Sequence, residues 1–247
     1  MRIFRTAIAA AVVGLAATVG AYAGDYDGNF MIRLQGTEVI TQDNLRQLNS
    51  NSGLPVRDLK SAGFDASVSD QFLPTATLSL FFTKNIAVEL FCCFSHHQVE
   101  LQAPAGLSGL SGKVAESWIF PPAVTLQYHF DRMGAVKPYV GAGAQYIYFF
   151  GSGPSDNTLK ADSVTFANTF GPTLQAGVDI AIGGGWYLNA DIKKSWLSTQ
   201  ATWHNSSVTK GDIVAKVDLD PLILSAGVGY RFNLEDLFGH RHEEALK

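Results

Sequence analysis

This chain is poor in charge, nearly devoid of cysteine, and free of long apolar runs beyond its first two dozen residues. Charged residues make up only 16% of its 247 positions, while glycine and phenylalanine number 24 and 16. So little charge gives poor cover to a surface that faces water, and suits one that faces lipid. There is no basic excess either: the net charge is -4, which excludes the positive face that nucleic-acid binding requires. The two cysteines, Cys92 and Cys93, are neighbours. On a strand they point to opposite faces, which disfavours a disulfide between them, and two isolated thiols make no metal centre. After Ala23 no stretch approaches the roughly 20 apolar residues of a spanning helix, so a helical inner-membrane protein is excluded.

What is present begins with an export signal. Arg2 and Arg5 precede an alanine-rich apolar core, and Ala21-Tyr22-Ala23 is a small-x-small cleavage site. Residues 1–23 are therefore expected to be a cleaved signal peptide. The rest then belongs in the periplasm or the outer membrane.

Alternation at period two follows. In the last regular segment Leu222, Leu224, Ala226, Val228, Tyr230 and Phe232 form one apolar row, opposite Ser225, Gly227, Gly229 and Arg231. An apolar face ending in aromatics, backed by a small and polar face, is the pattern of a barrel strand between lipid and lumen. Eight such segments can be marked, near 29–39, 74–83, 86–101, 118–130, 137–150, 169–182, 186–194 and 222–232. Their connections alternate in length. The short ones lie at 84–85, 131–136 and 183–185; the long, polar ones lie near 40–72, 102–117, 151–168 and 203–216. An up-and-down barrel with short periplasmic turns and long outer loops requires that parity, and a soluble sandwich does not. The expected fold is all-β: an eight-stranded antiparallel up-and-down transmembrane β-barrel over residues 24–232, with a charged periplasmic tail at 233–247.

Several pieces resemble the outer-membrane protein W family of small barrels. They are Asn85-Ile86-Ala87-Val88-Glu89-Leu90, the run from Pro121-Pro122-Ala123 to Tyr128-His129-Phe130, and Lys137-Pro138-Tyr139-Val140-Gly141. Trp186-Tyr187-Leu188-Asn189-Ala190-Asp191 and Val217-Asp218-Leu219-Asp220-Pro221 follow in the family's order. The resemblance implies a narrow, partly hydrophobic channel concerned with small hydrophobic molecules. The tail after Phe232, which carries His240 and His242, departs from the pattern of barrels that stop at a terminal aromatic.

The inward rows hold the candidate site. Arg33, Glu89, Gln127, His129, Asp179, Asp191, Lys193 and Arg231 are expected to line the lumen. Both signs of charge are represented, and an eight-stranded barrel is only wide enough for its own side chains, so mutual pairing into a plug is expected. In the long first loop Leu45, Leu48, Leu54, Val56 and Leu59 are candidates for an apolar lid over the mouth.

Three functions from different classes are open at this point. One is a channel or binding barrel for small hydrophobic compounds, entered through the outer loops and left sideways where Pro121, Pro122 or Pro172 interrupts the ladder. Another is a structural or adhesive barrel with a plugged lumen. The third is a lipid-modifying hydrolase using Ser95, His96, His97 and Glu100. It is disfavoured because adjacent strand residues point apart, Ser95 and His97 lie two residues apart along their shared face, and no hydrolase motif surrounds them. No enzyme activity and no cofactor are expected. The expected surroundings are the lipid bilayer and lipopolysaccharide, with the barrel-assembly machinery acting in folding, a small hydrophobic ligand, and a monomeric state.

Overall fold

The computed structural model describes residues 28–42, 44–50, 63–106, 109, 111–155, 159–207 and 210–233. The expected signal peptide, most of the tail, and the lid candidates Leu54, Val56 and Leu59 lie outside them. Eight strands close into a barrel: β1 (Phe30–Ile40), β4 (Gln71–Phe81), β5 (Ile86–Cys92), β8 (Ala123–His129), β9 (Val136–Gly153), β11 (Thr169–Gly183), β12 (Trp186–Ser195) and β15 (Leu222–Phe232). Each pairs antiparallel with its sequential barrel neighbours, and β1 pairs with β15 from Phe30↔Phe232 to Ile40↔Leu222, which closes the circle. With no edge left, every barrel strand satisfies its ladder within the wall, the condition for crossing lipid as sheet.

The expected facing holds along most of the wall, although Ile180 and Phe232, expected on the lipid face, are buried. On β8, Val124, Leu126 and Tyr128 are exposed while Thr125, Gln127 and His129 are buried. Aromatic contacts ring both ends of the apolar band. At the end with short turns Trp186 meets Tyr230, and Tyr230 stacks on Phe232; at the other end Phe94 stacks on Phe120 and meets Phe150 edge-on. Such girdles sit where ring and headgroup meet. The turn between β11 and β12 uses Gly183, Gly184 and Gly185 at φ of 102°, 61° and 82°, a left-handed path that side chains resist.

The long connections differ from the polar loops expected of them. Seven further strands occupy or flank them among the described residues: β2 (Asn44–Ser50), β3 (Asp65–Val68), β6 (Ser95–Gln102), β7 (Gly112–Phe120), β10 (Ser163–Phe166), β13 (Ser198–Ser206) and β14 (Gly211–Asp218). They continue the wall past the girdle. The third segment, read as one strand, breaks at Cys93-Phe94 into β5 and β6, and the fourth breaks at Pro121-Pro122 into β7 and β8. One extension joins β3, β6 and β7 to the far end of β9; the other is the sheet β10-β13-β14-β2. Their inner faces meet in one apolar cluster that includes Val99, Val114, Ile119, Ala201, Trp203, Ile213 and Val217. The indole N–H of Trp203 donates to the Val114 carbonyl at 2.9 Å, tying one sheet to the other.

Candidate functional site

The lumen has two stories of opposite character. The lower one, toward the short turns, is a charged network in which side chains from opposite walls meet. Arg33 on β1 is fully buried and uses its planar fork. Its Nε and Nη2 donate to the two carboxylate oxygens of Asp179 at 3.0 and 2.6 Å, and its Nη1 donates to Glu89 at 2.8 Å and Ser79 at 2.7 Å. Lys193 reaches Asp191 at 2.6 Å and Glu89 at 3.1 Å. Gln175 links the groups, donating to Glu89 and Asp191 and accepting from Thr125 and Gln127.

The remaining inward candidates complete this plug. His129 bonds Gln127 at 3.0 Å, and its ring lies between Phe81 and Tyr139, with centroids at 4.9 and 4.8 Å. Arg231 covers the other face of the assembly, its guanidinium 3.8 Å from the Phe81 centroid and its Nε donating to the Gly28 carbonyl at 2.6 Å. All eight inward candidates are buried. Buried charges must be paired and hydrogen-bonded, and here Arg33 and Lys193 meet Glu89, Asp179 and Asp191 from four strands.

Sequence reasoning passed over Ser79 and Thr125 and three larger members of the network. Tyr139 donates to Asp191 at 2.6 Å, Asn189 donates to Asp179 at 2.8 Å, and Gln175 bridges as described. All three occupy inward positions in the same alternation, so their facing was legible although their partners were not. Gly177 makes room for Tyr139: an added Cβ would come within 2.4 Å of the ring and its hydroxyl. Gly177→Ala is expected to displace Tyr139 from Asp191 and cost about 1–3 kcal/mol, the range for overpacking. Urea titration in micelles checks this; a loss below about 0.5 kcal/mol would show that the ring has slack.

Above the plug lies an apolar cavity of about 80 Å³ between the two sheet extensions. Phe91 and Ile223 line its base, Ile119 and Ile147 its wall, and Phe149 and Trp203 its upper part. Lys193 marks the boundary, its ammonium 5.0 Å from the Phe91 centroid and its charge turned down toward the carboxylates. Pro121 and Cys93 also line the cavity, Cys93 on the inner face and Cys92 pointing outward, both as free thiols.

Of the lid candidates, Leu45 is wholly buried in β2, where it pairs with Val217 of β14 and joins the apolar cluster. Leu48 lies on the same strand. The pair discounted on spacing does meet. Ser95 Oγ is 3.0 Å from His97 Nε2, and His97 Nδ1 is 2.9 Å from the Ser69 carbonyl. Period-two alternation puts both on one face, and the side chains span the step between them. A backbone carbonyl stands where a hydrolase places a carboxylate; Glu100 faces outward and is exposed. His96 also faces outward, against Trp118 with ring centroids 5.1 Å apart.

Comparison with known proteins agrees with this architecture. The solved structure of OprG from Pseudomonas aeruginosa has a TM-score of 0.74 and 26% identity, covering 85% of this chain and 98% of that one. An uncharacterized outer-membrane protein of Sinorhizobium fredii is 34% identical over 82% of this chain and 80% of its own length. The dibenzothiophene metabolism operon protein PahQ of Pseudomonas aeruginosa is 35% identical over 45% of this chain and 50% of its own. The family model described as the OmpW family matches residues 26–232. A closed eight-stranded barrel with lipid-facing apolar rows, matched over nearly its whole described length, thus belongs to the OmpW family of the outer membrane.

Proposed function

We propose that this barrel takes small hydrophobic molecules from the outer surface and releases them sideways into the membrane. The observation that carries this reading is the pairing of an apolar cavity above with a salt-bridged plug below. A hydrophobic solute can exchange water for the cavity wall, but crossing the plug would strip partners from buried charges, at about 3–5 kcal/mol for each broken pair. The way out that we propose lies in the wall. The β5–β8 ladder ends at Phe91↔Ala123, and pairing resumes between β6 and β7 at Ser95↔Ile119. Between them lie Pro121 and Pro122, which have no N–H to donate. Pro172 is a poorer outlet, because it stays in register with Ala144 and its carbonyl accepts the Trp196 N–H.

The relative named for a dibenzothiophene operon supports the choice of an apolar solute class. The plug would serve a purely structural or adhesive barrel equally well, but the cavity has no role there. In that setting lipopolysaccharide surrounds the mouth, the assembly machinery inserts the barrel, and one copy suffices. The lid segment begins inside a sheet at Leu45, so its deletion would remove β2; a cavity-filling change is the cleaner probe. Ala201→Phe places a ring into the space that Ala201 lines. Cells expressing the wild type are expected to take up dibenzothiophene faster than cells lacking the protein, and Ala201→Phe to abolish the difference. Planar bilayers holding the wild type should show only background ionic conductance. Unchanged uptake combined with large conductance would identify an aqueous pore instead.

A further inference from the structure

The lipid-facing wall has a hollow of its own, independent of any route through the lumen. On much of that wall the outward rows are bulky, as with Leu34, Leu78 and Leu90. On β9 and β11 they shrink. Ala142 and Ala176 both face outward there and are diagonal neighbours, since Ala142 pairs with Leu174 and Ala176 with Val140. Leu126, Val140, Leu174 and Ile192 stand around them and bank an open groove of about 770 Å³. The groove follows the paired rows from Ile86 on β5, across β8, β9 and β11, to Ile192 and Lys194 on β12. Those four steps between strands span about 19 Å, at about 4.8 Å each. Because barrel strands tilt, such a row climbs as it crosses them. Ile86 opens β5 directly after a short turn, whereas Lys194 stands next to the last residue of β12, at the long-loop end.

The upper end of the groove is charged. Lys194 faces outward, one step below the exposed Trp196 on the same side. Its ammonium donates to Gln42 Oε1 at 2.7 Å and to the Asp220 carbonyl oxygen, both neutral acceptors, while the Asp220 carboxylate accepts the Leu197 N–H. The ion pairs among the described residues leave Lys194 out, so one of its three donors and its whole charge remain to be met. With its oxygen taken, the exposed Gln42 offers its amide N–H groups beside the ammonium. Snorkelling alone would account for the position of the ammonium, but not for the hollow beneath it. We infer that this groove holds one acyl chain of lipid A, the phosphorylated anchor of lipopolysaccharide. A phosphate oxygen accepts from Lys194 Nζ, the sugar beside it from Gln42, and the chain lies over Ala142 and Ala176. The long-loop end faces the outer leaflet, where that lipid resides, and a phosphate answers the unmet charge. A chain that bridged Leu126 and Leu174 without entering would leave a void and lose its dispersion contacts.

Wild-type protein in detergent micelles is titrated with bisphosphorylated lipid A, and bound copies are counted by native mass spectrometry. One tightly held lipid is expected. Lys194→Gln removes the charge and Ala176→Phe fills the floor; each is expected to weaken that binding about tenfold, the scale of one charge-assisted hydrogen bond. Lys194→Arg keeps the charge and should retain most of the affinity. Leu34→Phe adds bulk on β1, across the barrel from the groove, and should bind as the wild type does. The shift in gel migration on boiling checks that each variant is folded. Equal affinity in the wild type and Ala176→Phe, or in the wild type and Lys194→Gln, would overturn the inference. Phosphatidylglycerol held as tightly as lipid A would overturn it too, leaving an unselective shell of anionic lipid. A pair of barrels that Ala176→Phe separates would do the same, making this face an interface between copies of the chain.

Discussion

Replacing Arg33 with methionine is expected to cost this barrel about 3–5 kcal/mol, the range for removing one partner of a buried ion pair. The guanidinium is fully buried and makes four charge-assisted or polar contacts, two of them to Asp179 and one each to Glu89 and Ser79. Methionine fills much of the volume and supplies none of the donors. Glu89 would still have Lys193 at 3.1 Å and Gln175 at 2.9 Å, so Asp179 bears most of the loss. Two further variants separate charge from geometry. Arg33→Lys keeps the charge but cannot grip Asp179 with two parallel bonds, so it should fall between wild type and methionine. Adding Asp179→Asn to Arg33→Met removes the orphaned carboxylate and should recover part of the loss, a coupling expected of residues in direct contact. Reversible urea unfolding in phospholipid vesicles, followed by tryptophan fluorescence, gives the three values. A loss under about 1 kcal/mol for Arg33→Met would mean that water or rearranged neighbours already screen the carboxylates, and that the lumen is wetter than its packing implies.

The plug illustrates what a sequence of this kind can and cannot say. Alternation assigns Arg33, Glu89, Asp179, Asp191 and Lys193 to the inner face, because no lipid-facing position could hold them cheaply. It gives no pairing. Arg33 and Asp179 are 146 positions apart, and whether the guanidinium turns to Asp179 or to Asp191 depends on strand tilt and rotamer. The strand extensions were missed for a different reason. In β13 and β14 the inward residues are Thr199, Ala201 and Trp203, then Ile213, Ala215 and Val217, a correct period-two row. The small residues in that row weaken the hydrophobic contrast, and the polar outer row faces water instead of lipid. The same stretch therefore reads as a polar loop when judged by composition and as a hairpin when judged by period. The cavity was illegible because it exists only where the sheet β10-β13-β14-β2 faces an extension that the period-two reading covered only in part.

Leu126→Arg tests the outer face as Arg33→Met tests the inner one, and should cost about 2–4 kcal/mol if Leu126 lies near the bilayer midplane. Leu126 is 58% exposed on β8, whose neighbour Gln127 is 1% exposed. Since all ladder bonds of the segment are already made with β5 and β9, that exposure has only lipid to meet. The depth follows from the strand itself. Tyr128 and Phe130, in contact at 5.1 Å, mark the girdle at the short-turn end, while Phe120 marks the girdle beyond the other end. Phe130→Arg, four residues along on the same face, places the same charge at the interface, where it can reach water and headgroups. Its charge should cost about 0–1 kcal/mol, apart from the lost contact with Tyr128. The measured quantity is again the unfolding free energy in vesicles, with the gel shift on boiling as a check that each variant inserts. Equal penalties at the two positions would remove the depth assignment, because a charge pays by depth only if the strand crosses the bilayer between them. A negligible penalty at Leu126 would go further and place that face against protein or water.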